Sequence, residues 1–114
     1  MEDRFSQQLK KGILEMLVLQ LICENPTYGY ELLSRLKKIS CGRFALKEGT
    51  LYPILRTLEN AGAVTAYEHE APSGRKRRYY HLTTKGKGLL KEEAEQWNSY
   101  ARAVDAVVSQ AVLA

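Results

Sequence analysis

The stretch EGTLYPILRTLENAGAVTAYEHEAPSGRKRRYYHL, residues 48–82, decides the fold. Leu51, Ile54, Leu55 and Leu58 recur at helical spacing and predict a helix from Glu48 to Ala61, stopped by Gly62. Pro53 lies early in that helix, where it removes one backbone hydrogen bond and allows a slight kink. Thr50, Tyr52, Arg56 and Thr57 fall off the apolar stripe and are expected to face outward. Two strand-like runs follow, 63–70 and 77–82, separated by the turn sequence APSGRK. In the second run Arg78, Tyr80 and Leu82 share one face, and Arg77, Tyr79 and His81 the other. The stretch reads as a short helix followed by a hairpin with a basic tip.

Two helices precede it. The first is expected from Ser6, as its cap, to about Glu24. Leu9, Ile13, Leu17 and Cys23 mark an apolar stripe that Met16, Leu19, Leu21 and Ile22 widen beyond a single packing face. Such a helix packs against two neighbours, with Cys23 as a small core residue. Gly12 weakens it by about 0.5–1 kcal/mol relative to alanine, either for close backbone approach or by simple tolerance. Asn25-Pro26 breaks the pattern, and Thr27 is placed to cap a second helix over 28–40. Leu32, Leu33, Leu36 and Ile39 are its apolar face; Cys41-Gly42 ends it, glycine suiting the left-handed terminal position. Residues 43–46 read as an extended connector.

After the hairpin a long helix is expected from Thr83 or Thr84 almost to the end. Leu90, Ala94, Trp97, Ala101, Val104, Val108 and Ala111 follow a heptad seam. The chain offers no obvious second helix long enough to cover it, so the seam predicts a homodimer closed by the same helix or the first helix of another copy, with Leu90, Trp97, Ala101, Val104 and Val108 at the interface; packing on its own domain is the other reading. The expected organisation is one compact unit at 1–82 and a dimerisation helix at 83–114.

The chain has 114 residues, 45% apolar, with a mean hydropathy of −0.35. That fits one domain with a real core. No run of apolar residues reaches membrane-spanning length, and Glu2, Asp3 and Arg4 do not open a signal peptide. A cytoplasmic protein without membrane contact is expected. Net charge is +4, and four basic residues stand together at Arg75-Lys76-Arg77-Arg78. Without them the remaining 13 basic residues balance the 13 acidic ones. The excess is one focused cluster, suited to a polyanion. His69 and His81 with Cys23 or Cys41 match no compact metal-ligand spacing. Ser34, Ser40 and Ser73 lie in no nucleophile motif, and no phosphate-binding glycine loop occurs. No metal, cofactor or enzymatic activity is therefore expected. Glu92, Glu93 and Glu95 read as a solvated acidic face of the last helix.

Three helices, a basic hairpin and a long helix describe a mostly α (α+β) fold, a winged helix-turn-helix with a C-terminal dimerisation helix. The third helix, about 20 Å long, suits a major groove. Gly49 opens its N-terminus, whose free amides favour a phosphate. Arg75, Lys76 and Arg77 would reach the adjacent backbone or minor groove. The partner so implied is double-stranded DNA. An alternative is a protein-interaction module that keeps the winged helix only as a scaffold; the basic tip speaks against it.

The segments KGILEMLVLQLI, YGYELLSRL, EGTLYPILRTLENAG and GRKRRYYHLTTKG, in this order and at these separations, resemble a PadR-type transcriptional regulator of the small subgroup with one C-terminal helix. The resemblance spans nearly the whole chain. It implies a dimeric repressor on a palindromic operator, released by a small ligand. It assigns Thr50 and Tyr52 to DNA and Leu51 to the core, with Lys10 and Lys11 at a basic entry to the first helix. It puts Gly74, Arg75, Arg77 and Tyr79 on the wing signature. Of Tyr28 and Tyr30, one ring should pack and the other reach a phosphate. Many members carry a capping serine and a proline where this chain has Lys47 and Glu48, which predicts a weaker cap and a negative charge near the DNA face, with Lys47 as an offset. Trp97, between Ala94 and Ala101, resembles the tryptophan on which the multidrug-sensing branch stacks flat aromatic ligands; filling the dimer core is its other reading. A hydrophobic cation would suit the site if Glu93 or Asp105 lay close.

Overall fold

A computed structural model describes the backbone over residues 4–112 and the side chains over 12–108. The elements are α1 (Arg4–Glu24), β1 (Thr27–Tyr28), α2 (Gly29–Ile39), α3 (Glu48–Asn60), β2 (Val64–Glu70), β3 (Lys76–Leu82) and α4 (Thr84–Val112). The three strands form an antiparallel sheet in the order β1-β3-β2. This is the expected series of three helices, a hairpin and a long helix, with one strand added.

That strand corrects the reading of Thr27. It does not cap α2. It pairs with Tyr80 across β1 and β3, is fully buried, and its hydroxyl donates to the Glu31 carboxylate. Tyr28 holds the cap position in extended conformation with no side-chain cap bond. A β-branched residue and an aromatic one suit the extended backbone that the open edge of β3 selects.

α1 runs through the middle of the fold and packs against α2, α3, α4 and β3. Hence Leu14, Met16, Val18, Leu19, Leu21 and Ile22 are all buried, and the helix is apolar on more than one side. Leu32, Leu51, Leu55, Leu58, Val64, Tyr80, Leu82 and Leu90 complete the core. Cys23 is exposed, contrary to its expected core position, because residues 23–26 run beyond the packed elements. α1 begins at Arg4, so Ser6 lies inside it rather than at its cap. The side chains of Lys10, Lys11 and Ala111 lie outside the described residues.

Gly12 has φ +94°, and among the described residues nothing beyond its neighbours and its own helix backbone lies within 4 Å of where its Cβ would be. Its glycine thus serves backbone conformation within α1, not close approach. Close approach occurs instead at Gly86, where a Cβ would fall 2.1 Å from the Ala63 carbonyl oxygen. That contact sets the first turn of α4 against the entry to β2. Thr83 caps α4 there: its hydroxyl oxygen accepts from the Gly86 amide at 3.0 Å and donates to the Gly62 carbonyl at 2.6 Å.

α3 ends in paired bonds, Ala63 amide to Leu58 carbonyl and Gly62 amide to Glu59 carbonyl, with Gly62 at φ +78°. α2 ends in the same pattern one residue earlier than expected. The Gly42 amide bonds the Lys37 carbonyl and the Cys41 amide the Lys38 carbonyl, so the first left-handed position falls on Cys41 at φ +54°. Residues 41–44 are a turn, not an extended connector; the Ser40 hydroxyl accepts from the Phe44 amide at 2.9 Å.

Candidate nucleic-acid interface and α1–α4 groove

Residues of α2, α3 and β3 meet beside the N-terminus of α3. Leu51, Leu55 and Leu58 anchor α3 in the core, which turns its opposite side outward. Lys47 is its N-cap residue, exposed and without a side-chain cap bond, consistent with the missing capping serine. The Lys47 carbonyl accepts from the Thr50 and Leu51 amides, so the Glu48 and Gly49 amides precede the helical ladder. Among the described residues, nothing beyond its neighbours and its own helix backbone lies within 4 Å of where a Gly49 Cβ would be. Thr50 is half-buried, Tyr52 is 41% exposed and Arg56 is exposed.

Tyr52 is more constrained than its outward position suggested. Its hydroxyl rests where a Cβ on Gly29 would sit, at 2.6 Å. Glycine at the first residue of α2 is the seat for the Tyr52 ring. Burial pushes the Tyr52 phenol above its ordinary range, Glu48 adds to this, and Arg77 pulls the other way.

The wing turns through Ala71–Arg75, closed by the Ala71 amide on the Arg75 carbonyl and the Gly74 amide on the Ala71 carbonyl, both at 2.8 Å. Gly74 takes φ +89°, as the tight turn needs. The four basic residues then part company. Arg75 and Lys76 are exposed at the tip. Arg77 is half-buried, with its guanidinium 5.7 Å from the Tyr28 ring centroid and its buried Nε lacking an acceptor. Arg78 is taken up by the fold: it reaches both Glu59 carboxylate oxygens at 3.0 and 3.1 Å and lies 5.9 Å from the Tyr80 centroid. Arg75 and Lys76 thus stand out at the tip, while Arg77 lies against Tyr28 and Arg78 is paired with Glu59. The two tyrosines of the second-helix motif part: one packs and one is exposed. Tyr28 packs on Tyr79 at 5.1 Å, and Tyr30 is 66% exposed in the first turn of α2. Tyr67 and His69 extend the ring cluster along the outer face of the hairpin.

α4 changes character along its length. Leu90 is in the core and Ala94 packs against it, so the seam's first two positions belong to this chain's own domain. Beyond them Trp97, Val104 and Val108 are 40–48% exposed and Ala101 is half-buried. Tyr100 and Val107, which the seven-residue seam omitted, are over 70% exposed. They sit three residues on from Trp97 and Val104, and widen the bare stripe.

A groove of about 290 Å³ lies between α1 and α4, lined by Gly12, Ile13, Met16, Glu93, Gln96, Trp97 and Tyr100. Ala94 and Ala101 do not line it, because α1 lies over the side of α4 that carries Glu93, Gln96 and Trp97. Glu93 is half-buried rather than on a solvated face, and among the described residues nothing donates to its inaccessible Oε1. Burial, then Glu15 and Glu92, push its carboxyl above the ordinary glutamate range. Asp105 is exposed and away from the groove. Among the described residues no three His, Cys, Asp or Glu could hold a metal ion, and no helix is long and apolar enough to cross a membrane.

The Transcriptional regulator PadR-like family matches residues 18–92, from α1 through the wing into α4. This chain belongs to the PadR-like family of transcriptional regulators. Its structure superposes on that of a PadR-like transcriptional regulator from Bacillus cereus with a TM-score of 0.80 at 33% identity, over 89% of this chain and 96% of that one. In sequence it is 34% identical to the uncharacterized protein X of Lysinibacillus sphaericus over 83% of this chain and 87% of that protein. It is 28% identical to the Mycobacterium tuberculosis transcriptional regulator Rv3488, over 86% and 88% of the two chains. The PadR-like match thus runs from within α1, through the wing, into the start of α4.

Proposed function

We propose that the chain is a ligand-responsive repressor that binds a palindromic operator as a homodimer in the cytoplasm. Residues 1–82 contact double-stranded DNA and residues 83–114 hold the two copies together. The observation that carries the reading is the open N-terminus of α3 beside the wing. Unclaimed amides, Thr50, Tyr52 and the Arg77 guanidinium gather there, with Arg75 and Lys76 farther along the hairpin. Thr50 and Tyr52 read bases. Tyr30, Lys47, Arg56, Arg75, Lys76, Arg77, Lys10 and Lys11 contact the backbone, which sets affinity without sequence preference.

The dimer reading rests on the bare stripe of α4 from Trp97 to Val108. The effector reading rests on the groove beside it: a flat aromatic or cationic molecule lies on Trp97, between elements that a second copy would also meet. Binding there changes how two α4 helices pack, and with it the spacing of two recognition helices.

Light scattering and footprinting on DNA flanking the chain's own gene test this together. The expected results are a mass twice that of the chain and a two-fold symmetric footprint, with half-site centres one or more helical turns apart. A monomer, or protection no different on random duplex, contradicts the proposal.

A further inference from the structure

We infer that Glu48 reads a cytosine in each half-site of the operator, its carboxylate accepting from the N4 amino group of the base in the major groove. The inference rests on the DNA reading of α3 and adds a specificity residue and the base it selects. Glu48 is the first residue of α3 and is exposed. The N-terminal end of a recognition helix comes nearest the base edges. Tyr52 lies one turn on, and residues four apart share one side of a helix. The Tyr52 phenol feels the Glu48 charge, second only to its own burial. The carboxylate thus shares the outward side of α3 with Tyr52. Among the described residues neither a hydrogen bond nor an ion pair engages it. Within the fold its one service is a negative charge in the first turn, which favours the helix start. A capping box would need the acid at residue 50, which is a threonine.

A carboxylate facing DNA is repelled by phosphate, and as an acceptor it needs a donor from the base edges. Lys47, exposed beside it, offsets part of the repulsion. The major groove offers two donors, the N4 amino group of cytosine and the N6 amino group of adenine. The adenine amino group stands between two acceptors, its own N7 and the O4 of the paired thymine. The cytosine amino group has an acceptor on one side only, the O6 of the paired guanine. A carboxylate therefore meets less repulsion at cytosine. Guanine and thymine present no donor there and are rejected. One acid favours a single base and weakens binding wherever that base is missing.

In the test, the wild type, Glu48→Ala and Glu48→Gln are each equilibrated with a random-sequence duplex library at fixed salt, and the bound duplexes are sequenced. Affinity for one random duplex is measured in parallel by fluorescence anisotropy. The wild type is expected to enrich a two-fold symmetric site with one cytosine in each half, preferred by about tenfold over the other bases. In Glu48→Ala that preference is lost and other positions keep theirs. Affinity for the random duplex rises, because a negative charge has left the DNA face. In Glu48→Gln the same position turns to adenine, whose N6 and N7 suit an amide. A cytosine preference unchanged in both variants overturns the role of Glu48 and leaves α3 as the DNA-binding helix. So does an equal loss of affinity for all sequences with a lower melting temperature, which makes Glu48 a support of the helix start alone. A wild type that enriches no sequence overturns this inference and the operator reading together.

Discussion

Tyr52 and Gly29 form a lock between α3 and α2. The space occupied by the Tyr52 hydroxyl exists because residue 29 lacks a Cβ. Gly29→Ala is expected to leave the fold intact, since alanine favours a helix and the displaced atom is the end of a side chain. The ring must move, however, and sequence preference on DNA should change while non-specific binding does not. Competition with operator and random duplexes would show this. Arg78 gives the contrasting case. Its pair with Glu59 is exposed, so Arg78→Ala should lower stability by at most about 1 kcal/mol by urea unfolding. Affinity for DNA should persist, unlike after loss of Arg75 and Arg77. Glu93 has a stability signature too. A carboxyl raised in the folded state favours the fold below the ordinary glutamate range, and that advantage disappears as pH rises through the raised value. Glu93→Gln should therefore raise the melting temperature at neutral pH, and the gain should vanish toward pH 4. None of these three roles could be read from the chain. Partner choice within RKRR, the seat for Tyr52 and the burial of Glu93 all depend on long-range packing, whereas periodicity reports only which side of an element a residue occupies.

Among the elements, helix stops were legible in kind, and that of α2 was off by one residue in place. The α3 stop at Gly62 matched because the glycine occupies the left-handed position itself. At the end of α2 the glycine comes one residue late, and Cys41 takes that conformation first. A non-glycine residue there carries strain of about 1 kcal/mol. Cys41→Gly is expected to stabilise the protein by up to that amount, as read from its denaturation midpoint. β1 was hidden for another reason. Two residues after Asn25-Pro26 have no periodicity of their own, and only the unpaired edge of β3 makes them a strand. The length and start of α3, the two hairpin strands and the long α4 all followed from local patterns strong enough to survive packing. α4 also shows where such a pattern misleads. Leu90 and Ala94 continue the heptad seam but serve this chain's own core.

Three features of the chain come from one layout. α1 at the centre ties the winged domain to α4, α4 carries its bare stripe away from the domain, and the groove lies where the two helices meet. In the proposed dimer, Val104→Asp with Val108→Asp places unpaired charges on the stripe while leaving the core untouched. The expected outcome is a folded monomer by light scattering, with operator affinity greatly reduced because two half-sites are no longer linked. Legibility at this scale was uneven. The winged helix could be read from element order, while the groove needed the crossing of α1 and α4, which no spacing encodes.

In the proposed regulator the wing and α3 bind DNA through a defined set of charges. The most direct test is fluorescence anisotropy of labelled promoter DNA over a salt series, comparing the wild type with Arg75→Ala/Arg77→Ala. If a dimer neutralises about eight phosphates, log K falls against log salt with a slope near about −7. Removing two charges from each protomer should bring the slope to roughly −3.6 and weaken binding to all sequences alike. An unchanged slope with full affinity at physiological salt would contradict the assignment of the wing to DNA.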